Sequence, residues 1–197
     1  MVGAIVFAMA RNDERRRALA DAGLTVLATA GARGLTHRAV DREAGVPQGT
    51  TTNYFRNRAA LLQGLVERIG ERLAPSDEFI AARAGQSPSQ KLFAEYLRNI
   101  VERLLANREV TIALIELRLE GIRRPEVAEI IGEWRRTGFA GDVAFNEQAG
   151  LPGSAREIAL FHYAVDGLVL DRLTGPLMPD ESLDDIVEAL VDGLLPA

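Results

Sequence analysis

The sequence contains no cysteine and only two histidines, His37 and His162. Disulfides, thiolate zinc sites and cysteine nucleophiles are excluded, and a histidine-rich metal site has nothing to build on. A Gly-x-Ser-x-Gly nucleophile elbow is also missing. No catalytic residue, metal ligand or cofactor is therefore assigned, and the chain is read as not an enzyme. No apolar run reaches the roughly 18 to 20 residues that span a bilayer, so no membrane partner is expected and the expected location is cytoplasmic. Lysine is nearly absent: Lys91 stands against 22 arginines, which points to a GC-rich coding sequence more than to a function. The opening MVGAIVFAMA has a short apolar core but lacks the basic leading segment of a signal peptide. The preferred reading places the translation start at Met9, with residues 1–10 as a disordered extension.

What is present is ordinary globular composition, 47% hydrophobic and 26% charged over 197 residues. The net charge of −5 hides an asymmetry. Residues 1–72 hold 11 Arg and 7 Asp or Glu, a net +4, whereas residues 73–197 hold 12 basic and 21 acidic side chains, a net −9. A basic front and an acidic back predict that only the front meets a polyanion.

Helical periodicity runs throughout, and no alternating strand pattern interrupts it. The fold class is all-α, with about nine helices. The first runs from Asp13 to about Ala30, its apolar face being Leu19, Ala22, Val26, Leu27 and Ala30, and Gly31 and Gly34 end it. Arg15–Arg17 at its start are either a solvated helix end or a phosphate-binding arm. Thr36 is a suitable N-cap for a short helix to Ala44, and Gly45 stops it. Pro47 opens a third helix to about Tyr54, and Asn57 caps a fourth carrying Leu61, Leu62, Leu65, Ile69 and Leu73. Further on, Ser87-Pro88-Ser89-Gln90 and Ser154-Ala155-Arg156-Glu157 both have capping-box spacing. Helices are expected to about Asn107, over about 108–121, from Pro125 to roughly 148, over 154–174, and over 181–195. The expected domains are 1–72, a small basic multi-helix unit, and 73–197, an acidic bundle.

Residues 45–62, GVPQGTTTNYFRNRAALL, place three threonines in a short helix although threonine is a mediocre helix former. Two short helices joined by a tight Gly-Val-Pro turn make a helix-turn-helix, whose second helix enters the major groove. There the hydroxyls bond bases or phosphates, the threonine methyls meet thymine methyls, and Gln48 can bond adenine in bidentate fashion. Gly49 gives clearance for close approach. Arg42 and Arg56 are read as solvated.

Residues 34–62, G-L-T-H-R-A-V-D-R-E-A-G-V-P-Q-G-T-T-T-N-Y-F-R-N-R-A-A-L-L, resemble the tetracycline-repressor (TetR) family of one-component regulators. The shared elements are the Gly-Leu-Thr lead, the Ala-Gly-Val turn, the Gly-Thr start of the recognition helix, the aromatic-x-Phe-like end and the Leu-Leu pair. The resemblance implies roles in DNA binding. Thr36 caps helix 2 and bonds phosphate, and Arg38 reaches base or backbone. Gln48, Gly49, Thr50, Thr52 and Asn53 face the groove, Tyr54 contacts phosphate, and Arg58 grips phosphate at the start of helix 4. Two positions depart from the pattern: Asp41 replaces a usual small alanine, and Thr52 a frequent tyrosine, so the operator does not transfer from relatives.

Residues 158–170, I-A-L-F-H-Y-A-V-D-G-L-V-L, are apolar almost all round, so that helix must be buried on more than one side. With Leu183, Ile186, Val187, Leu190 and Leu194 of the last helix it is expected to build a homodimer, and dyad symmetry suits a palindromic operator on double-stranded DNA. Candidate ligand-binding residues for an unknown small-molecule effector are Glu116, Arg118, Trp134, Phe139, Phe161 and His162. Trp134, on the stripe Val127, Ile130, Ile131, Trp134, Gly138, is either core or pocket wall. Glu116 pairs with Arg98 or Arg103 in the preferred reading, and His162 bonds Asp166 four residues on. The function expected is a ligand-responsive transcriptional regulator, a repressor released by its effector. The alternative is a DNA-binding regulator without an effector, controlled by a partner or by abundance.

Overall fold

The computed structural model describes residues 2–195, with side chains from Asn12 onward. Among the described residues ten helices run in order: α1 Val2–Gly34, α2 His37–Glu43, α3 Thr50–Tyr54, α4 Arg58–Leu73, α5 Asp77–Ala81, α6 Gln90–Ala106, α7 Arg108–Arg123, α8 Pro125–Gln148, α9 Ala155–Thr174 and α10 Leu183–Leu194. No strand occurs among the described residues. α5 is the helix beyond the nine expected: Ser76 Oγ accepts from Phe79 N at 3.2 Å, and Asp77 and Glu78 lie in its first turn, where acidic side chains favour a helix start. α1 is drawn from Val2, so the backbone of residues 2–10 is helical where an extension is expected; Ala and Met favour that state. Met1 and the side chains of that stretch lie outside the described residues. At its other end α1 breaks at Gly31, whose φ of 67° lies in the left-handed region.

The chain divides into two compact units. One runs to Arg72 and takes in Glu109–Trp134; the other takes in Leu73–Arg108 and the chain from Arg135 on. The first thus includes α7 and the start of α8 as well as the four leading helices. Its interior holds Leu19, Leu24 and Leu27 of α1, Leu35, Val40, Phe55, and Leu61, Leu65 and Ile69 of α4, all essentially without exposure. Each such side chain contributes about 1.5–3 kcal/mol on burial. Two glycines let backbones close in. A Cβ on Gly23 would stand 2.6 Å from Leu65 Cδ2, and one on Gly64 would enter the Phe55 ring. Outside the core, α1 and α4 are laced by ion pairs: Arg16–Glu67 at 2.9 Å, Arg17–Glu71 at 3.3 Å, and Arg68 gripping both Asp21 oxygens at 2.9 Å. Arg16 and Arg17, weighed as a phosphate-binding arm, are therefore engaged with α4.

In the second unit, Leu92, Phe93, Leu97 and Val101 of α6 meet Ile158, Phe161, Val165 and Val169 of α9 and Val187 and Val191 of α10. Phe93 and Phe161 pack with centroids 4.7 Å apart. Helix starts are set by serine. Ser89 caps α6 through Leu92 N at 3.1 Å, and Ser182 caps α10 through Asp185 N at 3.1 Å. Ser154 and Glu157 close the expected capping box. The box expected at Ser87 is displaced: α6 begins at Gln90 with Ser89 as its cap, its backbone extended and its hydroxyl accepting from Leu92 N.

Candidate nucleic-acid interface

α2 begins where Thr36 Oγ1 accepts from Ala39 N at 3.1 Å, and Gly45, at φ 63°, ends it. The chain then turns, with Val46 N bonding Asp41 O at 3.0 Å and Thr50 N bonding Pro47 O at 3.1 Å. Gly49 has φ 93° and ψ −8°, the third position of a type II turn, which glycine alone adopts without strain. This corrects the expected helix start. α3 begins at Thr50, not Pro47, and Gln48 and Gly49 sit in the turn ahead of it.

The middle threonine has its own explanation. Thr51 is 0% exposed and its hydroxyl donates to Asp41 Oδ1 at 2.6 Å; Thr51 N donates to the same oxygen at 2.7 Å, and Gly49 N to Asp41 Oδ2 at 2.7 Å. Burial alone would raise the Asp41 carboxyl, but the bonds from Thr51 and Gly49, helped by the nearby His37 charge, hold it below its ordinary value. Thr51 and Phe55 point inward, four residues apart. Gln48, Thr52 and Asn53 are exposed, while Gly49, Thr50 and Tyr54 are half-buried. Thr50 Oγ1 donates to Pro47 O at 2.6 Å, leaving its methyl and lone pairs for a partner. On the α2 side, Arg38 is exposed, and with Asp41, Arg42, Val46 and Gln48 it lines a concavity of about 310 Å³. Arg42, read as solvated, thus shares a cleft with two of the expected DNA-binding residues.

Arg58 takes a different place from the one its resemblance implies. Its Nη1 donates to Leu35 O at 2.7 Å and its Nη2 to Ala32 O at 3.0 Å, closing the carboxyl end of α1. Sequence reasoning missed three residues here. Asp41 and Thr51 hold the turn, and His37 Nε2 lies 2.6 Å from Phe55 O at the end of α3. The legible signal was a carboxylate in α2 ahead of a turn whose own N-cap is a glycine.

The six expected ligand-binding residues divide between the units. In the first, Trp134 lies against α4, where a Cβ on Gly70 would stand 3.3 Å from its Nε1, and Glu116 Oε2 would be 3.4 Å from a Cβ on Gly31. Arg118 is half-buried on α7. The partners expected for Glu116 are engaged elsewhere by their own neighbours: Arg98 pairs with Asp184 and Glu188, and Arg103 donates to Asn99 Oδ1 at 2.9 Å and to the Leu73 carbonyl. In the second unit Phe161 is core, and the Phe139 ring meets His162 edge-on at 5.6 Å. His162 does not pair within its helix as expected. It lies 3.0 Å from Asp142 of α8, and Asp166 meets Arg135 of α8 at 3.2 Å, because the facing helix offers closer polar groups. Burial pushes the Arg103 guanidinium down from its ordinary value, with the Asp142 carboxylate opposing. Among the described residues no cluster of His, Asp and Glu is placed to hold a metal ion, and no helix is long and apolar enough to cross a membrane.

An all-helical chain with a helix-turn-helix near its start and a helical bundle later in its sequence has the architecture of a one-component transcriptional regulator. The tetracyclin repressor-like C-terminal domain family matches residues 88–197, just over half of the chain, and the chain belongs to the TetR family. No curated protein matches it. Among solved structures it is similar to the multidrug binding protein EbrR complexed with imidazole, at 27% identity and TM-score 0.67 over 93% of this chain and 96% of that one. A TetR-family member from Streptomyces coelicolor A3 is 26% identical, with TM-score 0.71 over 93% and 99% of the two chains. FadR from Bacillus subtilis, in complex with stearoyl-CoA, shares the fold at 18% identity and TM-score 0.69, over 90% of this chain and 96% of that one.

Proposed function

We propose that this protein is a ligand-responsive transcriptional repressor that binds a palindromic operator as a homodimer in the cytoplasm. Residues 1–72 would carry DNA binding, and residues 73–197 effector binding and dimerisation. The observation that carries the reading is the division of α3 and its turn. Thr51 and Phe55 anchor them inward, while Gln48, Thr52 and Asn53 are left exposed with Thr50 beside them, the donor, acceptor and methyl groups that read base edges. Thr36, Arg38 and Tyr54 flank this surface as backbone contacts.

Dimerisation is supported by the outer side of α9. Tyr163 is 65% exposed and Leu170 47%, with Gly167 between them open to close approach, and Leu177 and Met178 lie uncovered before α10. Two recognition helices related by a dyad would meet major grooves roughly 34 Å apart. For an effector site, Phe139 and His162 beside Asp142 offer an aromatic and acidic wall, within residues 73–197 that total −9. EbrR is also described in complex with malachite green and ethidium, both aromatic cations, so this ligand class is the first to screen. The effector must bind the two DNA-binding states with different affinity, or nothing switches.

The test is fluorescence anisotropy in a salt series, on DNA from just upstream of the gene and on scrambled DNA of equal length. Specific binding that survives moderate salt is expected. Gln48→Ala should cost about 1–3 kcal/mol on the operator alone and relax one base position. Binding of both DNAs unchanged by Gln48→Ala would refute the assignment of the recognition turn.

A further inference from the structure

α3 has an unusual way of ending at its amino side. Its N-cap is Gly49, which has no side chain to offer, and the Thr50 hydroxyl donates backward to Pro47 O instead of accepting from the helix. The orphan amides of a helix start need an acceptor. Here it comes from another helix: Asp41 of α2, 3% exposed, takes Gly49 N on one oxygen and Thr51 N with the Thr51 hydroxyl on the other.

Those two amides anchor the backbone beside the exposed side chains. The Gly49 N–H belongs to the peptide plane that ends at the Gln48 Cα, and the Thr51 N–H to the plane that ends at the Thr50 Cα. Peptide planes are rigid, so holding both N–H groups anchors the Gln48 and Thr50 Cα atoms from which those side chains leave. The carboxylate also pins Gly49 at φ 93°, in a turn that glycine could otherwise abandon at little cost. Because its oxygens are consumed by three inward donors, Asp41 does not offer an acceptor to DNA, although it lines the same concavity as Arg38, Arg42 and Gln48.

We propose that Asp41 is a positioning residue for operator reading: from α2 it aims Gln48 and Thr50, and so sets the discrimination between operator and other DNA without touching either. This rests on the reading of the turn and α3 as the groove-facing element. It extends that reading by naming the residue that makes the reading surface rigid.

The experiment starts from a random duplex pool selected with the full-length wild-type protein. The selected duplex and a scrambled duplex of equal length are then titrated against wild type, Asp41→Ala, Asp41→Asn and Thr51→Val, each checked for helicity and measured below its melting transition. Asp41→Ala is expected to lower the ratio of selected to scrambled affinity about tenfold or more, the value of one well-aligned base contact. Its low-salt binding to scrambled DNA and its salt slope should stay at wild-type values, since phosphate contacts carry both. Asp41→Asn keeps one acceptor oxygen and should fall between, and Thr51→Val, which keeps both amide bonds, should change the ratio less than either. An unchanged ratio in Asp41→Asn overturns the proposal, as does an equal loss on both duplexes, because either means that Asp41 contributes only to folding. If the wild type selects no sequence at all, the DNA-reading assignment fails first and the proposal falls with it.

Discussion

Replacing Arg58 by alanine separates two jobs that one guanidinium could do. The family resemblance implies a grip on phosphate, whereas the structure turns two of its nitrogens inward, onto Leu35 O at 2.7 Å and Ala32 O at 3.0 Å. Leu35 and Ala32 are buried, so their carbonyls lose their partner when the side chain is cut back. A hydrogen bond from a charged donor nets about 1.5–3 kcal/mol, and an orphaned buried acceptor costs about 1–3 kcal/mol. Arg58 is only half-buried and water can reach part of the gap, so the expected loss is about 2–4 kcal/mol for the pair of bonds. In a chain of this size that lowers Tm by roughly 5–15 °C. The assay is thermal unfolding at fixed protein concentration, with a salt series on DNA run below the transition. The expected result is a lowered Tm and a salt slope that does not move. Arg58→Lys should recover part of the loss, since one ammonium cannot reproduce the fork. A Tm within about 1 °C of wild type, with a slope reduced by about 0.9 per protomer, would mean that Arg58 holds a phosphate and would refute the capping argument.

Four further outcomes are expected. Gly64→Ala drives a methyl into the Phe55 ring and should destabilise by about 1–3 kcal/mol. Gly138→Ala, a helical position with nothing near its Cβ, should stabilise by about 0.4–1 kcal/mol; urea unfolding reads both. The Asp41 carboxyl is held below its ordinary value, so its contribution to stability is complete above the unfolded carboxyl near about pH 3.9 and is lost as pH falls through the lower folded value. The stability gap between wild type and Asp41→Asn should therefore be flat from neutral pH down to mildly acid conditions and close only below that range. A gap that closed near neutral pH would contradict the bonding seen at Asp41. Finally, Leu170→Asp on the outer side of α9 should shift sedimentation from dimer to monomer, and a dimer unaffected by it would place the interface elsewhere.

Much of the architecture was legible in the sequence because the signals are local. Thr36 and Ser154 cap the helices they were expected to cap, Gly31 and Gly45 end helices at positive φ, and Pro125 opens α8. Each depends on groups within four residues of one another, and the TetR resemblance over residues 34–62 rests on the same short-range pattern. Even α5, the helix not expected, starts at an ordinary cap, Ser76, followed by two acidic residues.

What only the tertiary structure decided are the choices between partners far apart in sequence. Asp41 looked like a departure from the family's alanine and became the cap of α3, eight and ten residues away. Arg58 had an implied phosphate and took carbonyls 23 and 26 residues back. His162 had Asp166 one turn ahead and took Asp142 from a different helix. The physical reason is common to all three. Periodicity and capping specify which face of a helix is apolar and where it starts. A long polar side chain is directed by whichever partner the packed helices bring within about 3 Å, and that proximity exists only once the chain has folded.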